Sequence, residues 1–358
     1  MAETLELWRD QIASAANGGE PICIHGGNSK AFYGQTPVGE PLDTRVHHGV
    51  VTYEPSELVV TARAGTPLAE LEATLAEQGQ MLAFEPPHFG QATVGGCVAA
   101  GLAGPRRARV GGVRDFVLGA QLLDGNGKLL NFGGQVMKNV AGYDISRFLA
   151  GSLGMLGVIT EVSLKVLPLP ECELTLRLSL DLESARDAMR SWAARPVPVS
   201  ATAWNAGELH LRLSGGASAV EAAAQSIGGE RLTPENATEL WQQLREQRHR
   251  FFTNTEAPLW RLALPTTAEL PIGDLFNEEE VLLEWNGGQC WLLSNPPASA
   301  IREFASRAGG HATLFRGGDR TGQVFTPLPD AAMALHRNLK AVFDPAGVFN
   351  PGRMYPSL

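Results

Sequence analysis

The spacing of apolar positions in the first part of the chain predicts a strand followed by a helix. Residues 58–63 read Leu-Val-Val-Thr-Ala-Arg, which is typical of a strand. The next leucines, Leu68, Leu71 and Leu75, fall on one side of a helix. Thr66 and Pro67 stand where a helix takes its N-cap and its first-turn proline, so we expect the helix to begin there.

A hairpin, a short helix and another strand are predicted next. Apolar runs at residues 116–123 and 128–132 flank the sequence Asp-Gly-Asn-Gly at 124–127, which is a strong hairpin signal. Asp144 can cap a short helix. Apolar and polar positions then alternate over residues 158–166, which predicts a strand that is buried on one face only.

The pattern changes after Pro168 and Pro170, where longer strands and amphipathic helices take turns. The predicted strands cover 174–180, 259–264, 281–285 and 289–293, the helices cover 181–194 and 298–307, and a hairpin turn lies at 204–208. This order predicts an antiparallel sheet with helices on one side. A last helix is predicted from Asp330 to the Asp344-Pro345 pair, and we expect it to pack on the first domain. Its apolar positions are Met333, Leu335, Leu339 and Val342.

The predicted fold class is therefore α+β, divided at the proline-rich boundaries. A chain of 358 residues suits two domains rather than one core. We expect a first domain over residues 1–170, a second over 171–329, and a C-terminal segment over 330–358 that returns to the first domain.

Composition narrows the classes of function. The chain has 29 basic and 38 acidic residues and a net charge of −9, which argues against a nucleic-acid partner. No apolar run reaches the roughly 18 residues needed to span a bilayer, and we predict a cytoplasmic protein without a membrane span. The four cysteines form no Cys-x-x-Cys pair, so we predict no metal site and no iron–sulfur cluster in this chain.

Two glycine-rich turns are the main candidate for chemistry. They lie at residues 21–30 and 91–101, and each joins an apolar run to two adjacent glycines and a small polar residue. Such turns let several backbone N–H groups converge on phosphate oxygens, because no Cβ blocks the approach. The alternative is a pair of ordinary hairpin or bulge glycines.

Short segments along the chain carry a family resemblance. They are Gly26-Gly27-Asn28-Ser29-Lys30, Thr93-Val94-Gly95-Gly96, Gly111 with Asp115, Lys138-Asn139-Val140-Ala141-Gly142-Tyr143-Asp144, residues 151–161 and residues 344–352. In this order they resemble the PCMH-type FAD-binding domain of the vanillyl-alcohol-oxidase flavoproteins. Residues 104–107 and 132–144 narrow the resemblance to the FAD-binding E subunits of bacterial glycolate oxidases. It implies two α/β subdomains that bind FAD and an antiparallel cap with helices on one side.

The resemblance also implies which residues contact FAD. They are Ile24, His25, Gly26, Gly27, Asn28, Ser29, Lys30, Pro87, Thr93, Val94, Gly95, Gly96, Val98, Ala99, Gly101, Gly154, Val158 and Ile159. The first turn would hold the diphosphate through backbone donors, and Thr93 with the Gly95-Gly96 backbone would hold its other side. Val98 and Ala99 would pack on the flavin, and Val158 and Ile159 would lie beside the adenine.

The mode of FAD binding and the role of a few neighbours follow from the same comparison. Family members with covalent flavin tend to place histidine after the glycine pair, whereas this chain has Asn28, so noncovalent FAD is expected. His25 is interpreted as facing solvent or capping the turn, and Cys97 as a packing residue. Lys30 is either a phosphate cation or a solvated lysine.

Catalytic residues are not identified by spacing. Arg106 or Arg107 would lie near the flavin pyrimidine edge or clamp a substrate carboxylate, and one of two adjacent arginines normally faces water. His88 is a candidate base, with no stronger claim than the histidines elsewhere in the chain. The His-Gly-Asp-Gly-Asn segment of larger 2-hydroxy acid dehydrogenases, which binds metal and substrate, is missing from the sequence.

The resemblance implies a subunit of a multi-chain glycolate dehydrogenase. Its partners would be a catalytic FAD-binding paralogue and an iron–sulfur subunit, its substrate a small 2-hydroxy acid, and its location the cytoplasm or the inner face of the membrane through those partners. Two alternatives remain open. One is a stand-alone FAD oxidoreductase for another alcohol or 2-hydroxy acid, and the other is a non-catalytic subunit that holds FAD and stabilises the assembly.

Overall fold

A computed structural model describes residues 2–134, 144–253 and 256–358. In chain order the strands are β1 Ile22–His25, β2 Glu40–Asp43, β3 Val50–Glu54, β4 Val59–Arg63, β5 Gln80–Met81, β6 Val117–Leu123, β7 Leu129–Gly133, β8 Val158–Lys165, β9 Leu167–Pro168, β10 Cys172–Ser179, β11 Val199–Asn205, β12 Glu208–Gly215, β13 Glu230–Arg231, β14 Leu259–Ala263, β15 Val281–Glu284, β16 Gln289–Leu293 and β17 His311–Arg316. The helices are α1 Ala2–Gly18, α2 Leu68–Ala76, α3 Val94–Ala100, α4 Arg107–Val110, α5 Val113–Phe116, α6 Ile145–Phe148, α7 Leu182–Ala193, α8 Ala217–Ile227, α9 Pro234–Arg245, α10 Ala298–Arg307 and α11 Asp330–Phe343. This mixture is the α+β fold class that the sequence predicts.

Contacts divide the chain into two units. The first contains Met1–Leu102, Gly112–Pro168 and Pro327–Leu358, and the second contains Ala103–Gly111 and Leu169–Thr326. The boundaries at residues 170 and 329 stay predictions about domains. The short stretch Ala103–Gly111, which carries Arg106 and Arg107, belongs to the second unit although it lies within the first predicted domain.

The first unit contains a two-stranded parallel sheet and a five-stranded antiparallel sheet. Strands β1 and β2 pair in parallel, and α1 packs on them through Trp8 and Ile12. The five-stranded sheet has the order β3-β4-β8-β6-β7. A further short pair joins β5 to β9. The two sheets and the helices on them match the two subdomains that the resemblance implies.

The predicted helix and hairpin of the first unit form, but the structure differs from the predictions at α2, β8 and α6. Helix α2 buries Leu68, Leu71 and Leu75, but it begins at Leu68 after Pro67. The expected Thr66 cap is wrong, because the Thr66 hydroxyl instead accepts a hydrogen bond from Gly49 N at 2.9 Å. Strand β8 is buried on both faces rather than one, since it lies in the middle of its sheet. Asp144 precedes α6 without a side-chain bond to the backbone of that helix.

The last helix, α11, lies in the first unit. Its predicted apolar face is partly wrong, since Leu335 and Val342 are 64% and 69% exposed. The helix instead buries Lys340 and Phe343. Asp330 is the first residue of the helix and Pro329 occupies the N-cap position. The expected N-cap by Asp330 is therefore wrong.

The second unit is built on one eight-stranded antiparallel sheet with the order β13-β10-β12-β11-β15-β16-β14-β17. Helices α7, α8 and α10 cover one face through a continuous apolar core. The sheet and these three helices match the predicted antiparallel sheet with helices on one side, and α9 departs from that pattern. Helix α9 also contacts the opposite face, where Trp241 Nε1 donates to Thr175 Oγ1 at 2.9 Å. Asp181 caps α7 as predicted, by accepting from Ser184 N at 2.8 Å.

Candidate functional site

A cleft in the first unit lies where β1 ends and α3 begins, and Asn350 and Arg353 of the C-terminal segment also line it. The two glycine-rich turns form two of its walls. Its lining consists of residues 23–31, Pro37, Thr44, Ala64, Thr93, Gly95, Gly96, Ala99, Ala100, Leu153, Gly154, Gly157, Ile159, Asn350 and Arg353.

The first glycine turn presents a row of backbone donors to this cleft. Strand β1 pairs with β2 along one edge, and along the other edge Ile22 N donates to Val348 O at 2.7 Å and Ile24 N to Asn350 Oδ1 at 2.8 Å. Beyond Ile24 that edge ends, and within the described residues the N–H groups of residues 26–29 donate to no protein acceptor. Four successive amides without a protein acceptor, in residues that line the cleft, suit an anion such as a diphosphate.

The two glycine turns are packed against each other at van der Waals distance. A Cβ on Gly27 would overlap the carbonyl oxygen of Gln91, and a Cβ on Gly26 would overlap the side chain of Thr93. Gly95 is similarly close to Ala64. Only glycine permits this approach, and it leaves the amides of the first turn uncovered. The residues present therefore fit the FAD diphosphate.

The backbone N–H groups of Gly95 and Gly96 in the second glycine turn donate to acceptors within the protein. Thr93 caps α3 by accepting from Gly96 N at 3.2 Å, and Gly95 N donates to Ala64 O at 2.8 Å. The expectation that the Gly95 and Gly96 amides hold the diphosphate does not match these bonds. In this arrangement the second turn forms a wall of the cleft, and the first turn supplies the donors.

The predicted contact residues divide into two groups. The cleft is lined by Ile24, His25, Gly26, Gly27, Asn28, Ser29, Lys30, Thr93, Gly95, Gly96, Ala99, Gly154 and Ile159. It is not lined by Pro87, Val94, Val98, Gly101 or Val158. Val94, Val98 and Val158 are fully buried, because these positions of α3 and β8 face the core. Gly101 ends α3 in the left-handed conformation, with φ +65°.

Asn350 and Arg353 line the cleft and were absent from the predicted set. Asn350 has a left-handed φ of 41° and a side chain that bonds Ile24 N and, at 2.7 Å, Leu153 O. The Asn-Pro-Gly sequence at 350–352 contributed to the family resemblance and was the available signal. The contact between Asn350 and β1 could not be predicted, because the two lie at opposite ends of the chain.

Of the three catalytic candidates, His88 lies in the first unit and does not line this cleft. His88 Nε2 lies 2.9 Å from Glu72 Oε2, and the His88 carbonyl accepts from Lys30 Nζ at 3.2 Å. Arg106, in the second unit, is buried and donates to Glu173 Oε1 at 2.5 Å. Arg107 is exposed and places its guanidinium 4.5 Å from the ring centre of Trp285.

The structure also shows the contacts of His25, Cys97 and Lys30, which lie in or beside the glycine turns. His25 Nδ1 lies 3.1 Å from the carbonyl oxygen of Gly26, so the ring caps the turn. Cys97 is buried, which raises the pKa of its thiol to about 12 and keeps it protonated. Lys30 Nζ lies 3.3 Å from Ser29 Oγ at the edge of the cleft. The predicted segment 138–143 lies outside the described residues.

Residues 2–134, 144–253 and 256–358 contain neither a candidate metal cluster nor a helix suited to crossing a membrane. In these ranges no group of three or more His, Cys, Asp or Glu side chains is arranged to hold a metal ion. None of the helices there combines the length and apolar character that a membrane crossing needs.

A family model matches the first part of the chain, and a known protein matches nearly its full length. Residues 2–133 match the family model of an FAD binding domain. Glycolate oxidase subunit GlcE of Escherichia coli (strain K12) is 49% identical over 350 residues, which cover 98% of this chain and 97% of that protein.

More distant relatives match a shorter stretch. Glycolate oxidase subunit GlcD of Bacillus subtilis (strain 168) is 29% identical over 158 residues, or 44% of this chain and 34% of that protein. The mitochondrial D-2-hydroxyglutarate dehydrogenase of Bos taurus is 33% identical over 147 residues, or 40% and 27%. Among solved structures, alkyldihydroxyacetonephosphate synthase gives a TM-score of 0.66 at 16% identity, covering 96% of this chain and 73% of that one. This last similarity shows a shared fold.

Proposed function

Since this chain belongs to the family of glycolate oxidase subunit GlcE, we propose that it is the FAD-binding subunit of a multi-subunit glycolate oxidase. In that complex it takes part in the oxidation of glycolate to glyoxylate and passes electrons to a partner subunit that carries iron–sulfur clusters. The observation that carries the proposal is 49% identity over nearly the full length of both proteins. The partners are a second FAD-binding subunit and the iron–sulfur subunit.

The chain's own part in this reaction is to hold the cofactor. When bound, FAD accepts the hydride from the alcohol carbon of glycolate, while the hydroxyl proton leaves to a base. Residues 26–29 line the cleft with N–H groups that have no protein acceptor, and a Cβ on Gly26 or Gly27 would overlap the second glycine turn. The four cysteines form no cluster motif, so the proposal assigns the iron–sulfur clusters to a partner.

Noncovalent attachment of FAD is part of the proposal. The residue after the glycine pair is Asn28, whose amide is not a nucleophile. Cys97 is buried with a pKa of about 12. His25 is held against Gly26 O through Nδ1. These three side chains therefore favour a cofactor held by hydrogen bonds and packing alone.

A second candidate function has one specific observation in its favour. His88, the catalytic candidate that lies in the first unit, does not line the cleft that fits FAD. This favours a subunit that holds FAD and stabilises the assembly while the partner subunit oxidises the substrate. We further propose that the protein is cytoplasmic and reaches the inner face of the membrane through its partners.

The test compares the purified chain with the complex isolated with its partners. Each is mixed anaerobically with glycolate, or with acetate as the control that lacks the hydroxyl group, and the visible flavin absorbance is followed. We expect glycolate to bleach the flavin of the complex, acetate to leave it oxidised, and iron to be found only in a partner subunit. A complex whose flavin stays oxidised with glycolate would contradict the proposal.

The same complex separates the two candidate functions. A complex is assembled with the Gly27→Ala variant of this chain, which we expect not to retain FAD. Loss of glycolate oxidation supports electron transfer through this subunit. Full activity without FAD in this chain supports the assembly role and excludes the catalytic one.

A further inference from the structure

A buried ion pair fixes the C-terminal segment of the first unit. Lys340 Nζ donates to Asp344 Oδ2 at 2.6 Å, to Met155 O at 2.8 Å and to Phe349 O at 2.6 Å. The Asp344 carboxylate also accepts from Phe349 N at 2.8 Å. Each of the two charges is both paired and hydrogen-bonded, and these interactions offset the cost of removing the charges from water. We call residues 340–353 the C-terminal clasp.

The clasp places Asn350 against the last residues of β1. The backbone N of Asn350 donates to Ile22 O at 2.9 Å. Its side chain accepts from Ile24 N through Oδ1 at 2.8 Å and donates to Leu153 O through Nδ2 at 2.7 Å. Asn350 is 5% exposed, so these bonds are shielded from water. One amide side chain thus joins β1 to the turn at residues 153–154, which lines the cleft on another side.

Arg353 binds the other end of the same glycine turn. Its Nη2 donates to Ala31 O at 2.9 Å and to Lys30 O at 3.3 Å. Its own carbonyl accepts from Gln35 N at 2.9 Å. The clasp therefore bonds to the chain before and after residues 26–29, whose free amides lie between the two attachment points.

We propose that the C-terminal clasp is a positioning element of the FAD site, with Asn350 and Arg353 holding the first glycine turn in the shape that receives the diphosphate. The inference rests on FAD binding, as in the proposed function. It extends the site to residues far outside the stretch 2–133 that matches the FAD binding domain. Lys340 and Asp344 act one step further away, by fixing the clasp itself.

The test measures FAD affinity of apoprotein in two conservative variants. Asn350→Asp keeps the acceptor for Ile24 N and loses the donor to Leu153 O, and Arg353→Lys keeps the charge and loses the forked geometry. The matched controls are Asn338→Asp and Arg337→Lys, both at exposed positions of α11. FAD binding is followed by quenching of flavin fluorescence, and folding by near-ultraviolet circular dichroism.

We expect FAD to bind roughly tenfold more weakly to each clasp variant than to its control. FAD should also raise the unfolding temperature of the clasp variants less than that of the controls. If Asn350→Asp does not fold, the FAD affinity of Arg353→Lys decides the test. Folded variants with control affinity, or loss of folding in both, overturn the inference. Failure of the unmodified chain to bind FAD would instead refute the proposed function.

Discussion

Gly27 lies so close to Gln91 that a Cβ on Gly27 would overlap the Gln91 carbonyl oxygen. The contact joins the two glycine-rich turns, which lie more than sixty residues apart in the sequence. It keeps the first turn free of side chains at the point where its amides face the cleft. The pairing of the turns, rather than either turn alone, defines the site.

The Gly27→Ala substitution tests this contact. We expect it to destabilise the protein by about 1–3 kcal/mol, because the turns must separate to admit the methyl group. It should also abolish retention of FAD during purification. Gly18→Ala is the control, since a Cβ there would meet only Glu20 Cγ at 3.7 Å. Urea unfolding and flavin content give the two readouts, and retention of FAD by Gly27→Ala would contradict the contact's role.

The cysteines offer a footprint of the cleft. Cys23 is partly exposed and lines it, whereas Cys172 is partly exposed in the second unit. We expect added FAD to slow alkylation of Cys23 and to leave the rate at Cys172 unchanged, as followed by mass spectrometry. Cys97 and Cys290 should stay unmodified until the protein is unfolded, since burial raises the pKa of each to about 12. Equal rates at Cys23 with and without FAD would place the cofactor elsewhere.

Much of the local structure could be predicted from short sequence signals. The Asp-Gly-Asn-Gly hairpin forms as predicted, with Asp124 Oδ1 accepting from Asn126 N at 2.9 Å and from Lys128 N at 2.8 Å. Helix α10 has the predicted bounds, Ala298–Arg307. Such elements depend on neighbours within a few residues, and the sequence displays these directly.

The parts that could not be predicted depend on contacts between distant residues. Asn350 and Ile24 are 326 residues apart in the chain, and no local pattern joins them. The Thr66 hydroxyl bonds Gly49 instead of capping α2, because tertiary packing brings Gly49 within reach. The Gly95 amide is taken by Ala64 O for the same reason. The motif located the site, and only the fold showed which amides remain available.

His47 makes stability depend on pH. Its ring is 4% exposed and lies edge-on to Trp8, with ring centres 5.7 Å apart. Burial, together with nearby Arg63 and His48, lowers the pKa of His47 to about 4. The unfolded chain, with a pKa near ~6.5, binds the proton more readily, so stability is complete above that pH and falls as pH drops toward 4.

The His47→Gln variant measures this contribution. Between pH 7 and pH 5 the unmodified protein should lose about 2 kcal/mol more of its unfolding free energy than the variant does. His48→Gln, at an exposed position next to it, is the control and should behave like the unmodified protein. Urea unfolding at the two pH values gives the comparison. Identical losses in all three proteins would show that the pKa of His47 is the same in the folded and the unfolded chain.

Arg106 is expected to stabilise the second unit. Besides Glu173, its guanidinium reaches Ser214 Oγ at 3.2 Å, within a network that includes Arg212 and Ser200. Arg106→Met should cost about 1–3 kcal/mol of unfolding free energy, and the exposed Arg109→Met close to zero. Unfolding is followed by tryptophan fluorescence. Unchanged stability with an altered flavin reduction potential would support the flavin-edge role of Arg106 instead.

The central claim is that this chain holds one FAD without a covalent bond, and its flavin content tests it most directly. The purified chain is saturated with FAD, freed of excess cofactor and precipitated with acid, and flavin is measured in the supernatant and the pellet. We predict one equivalent of intact FAD per chain, all of it in the supernatant. A chain that retains no flavin, or a pellet that stays yellow, would contradict the account.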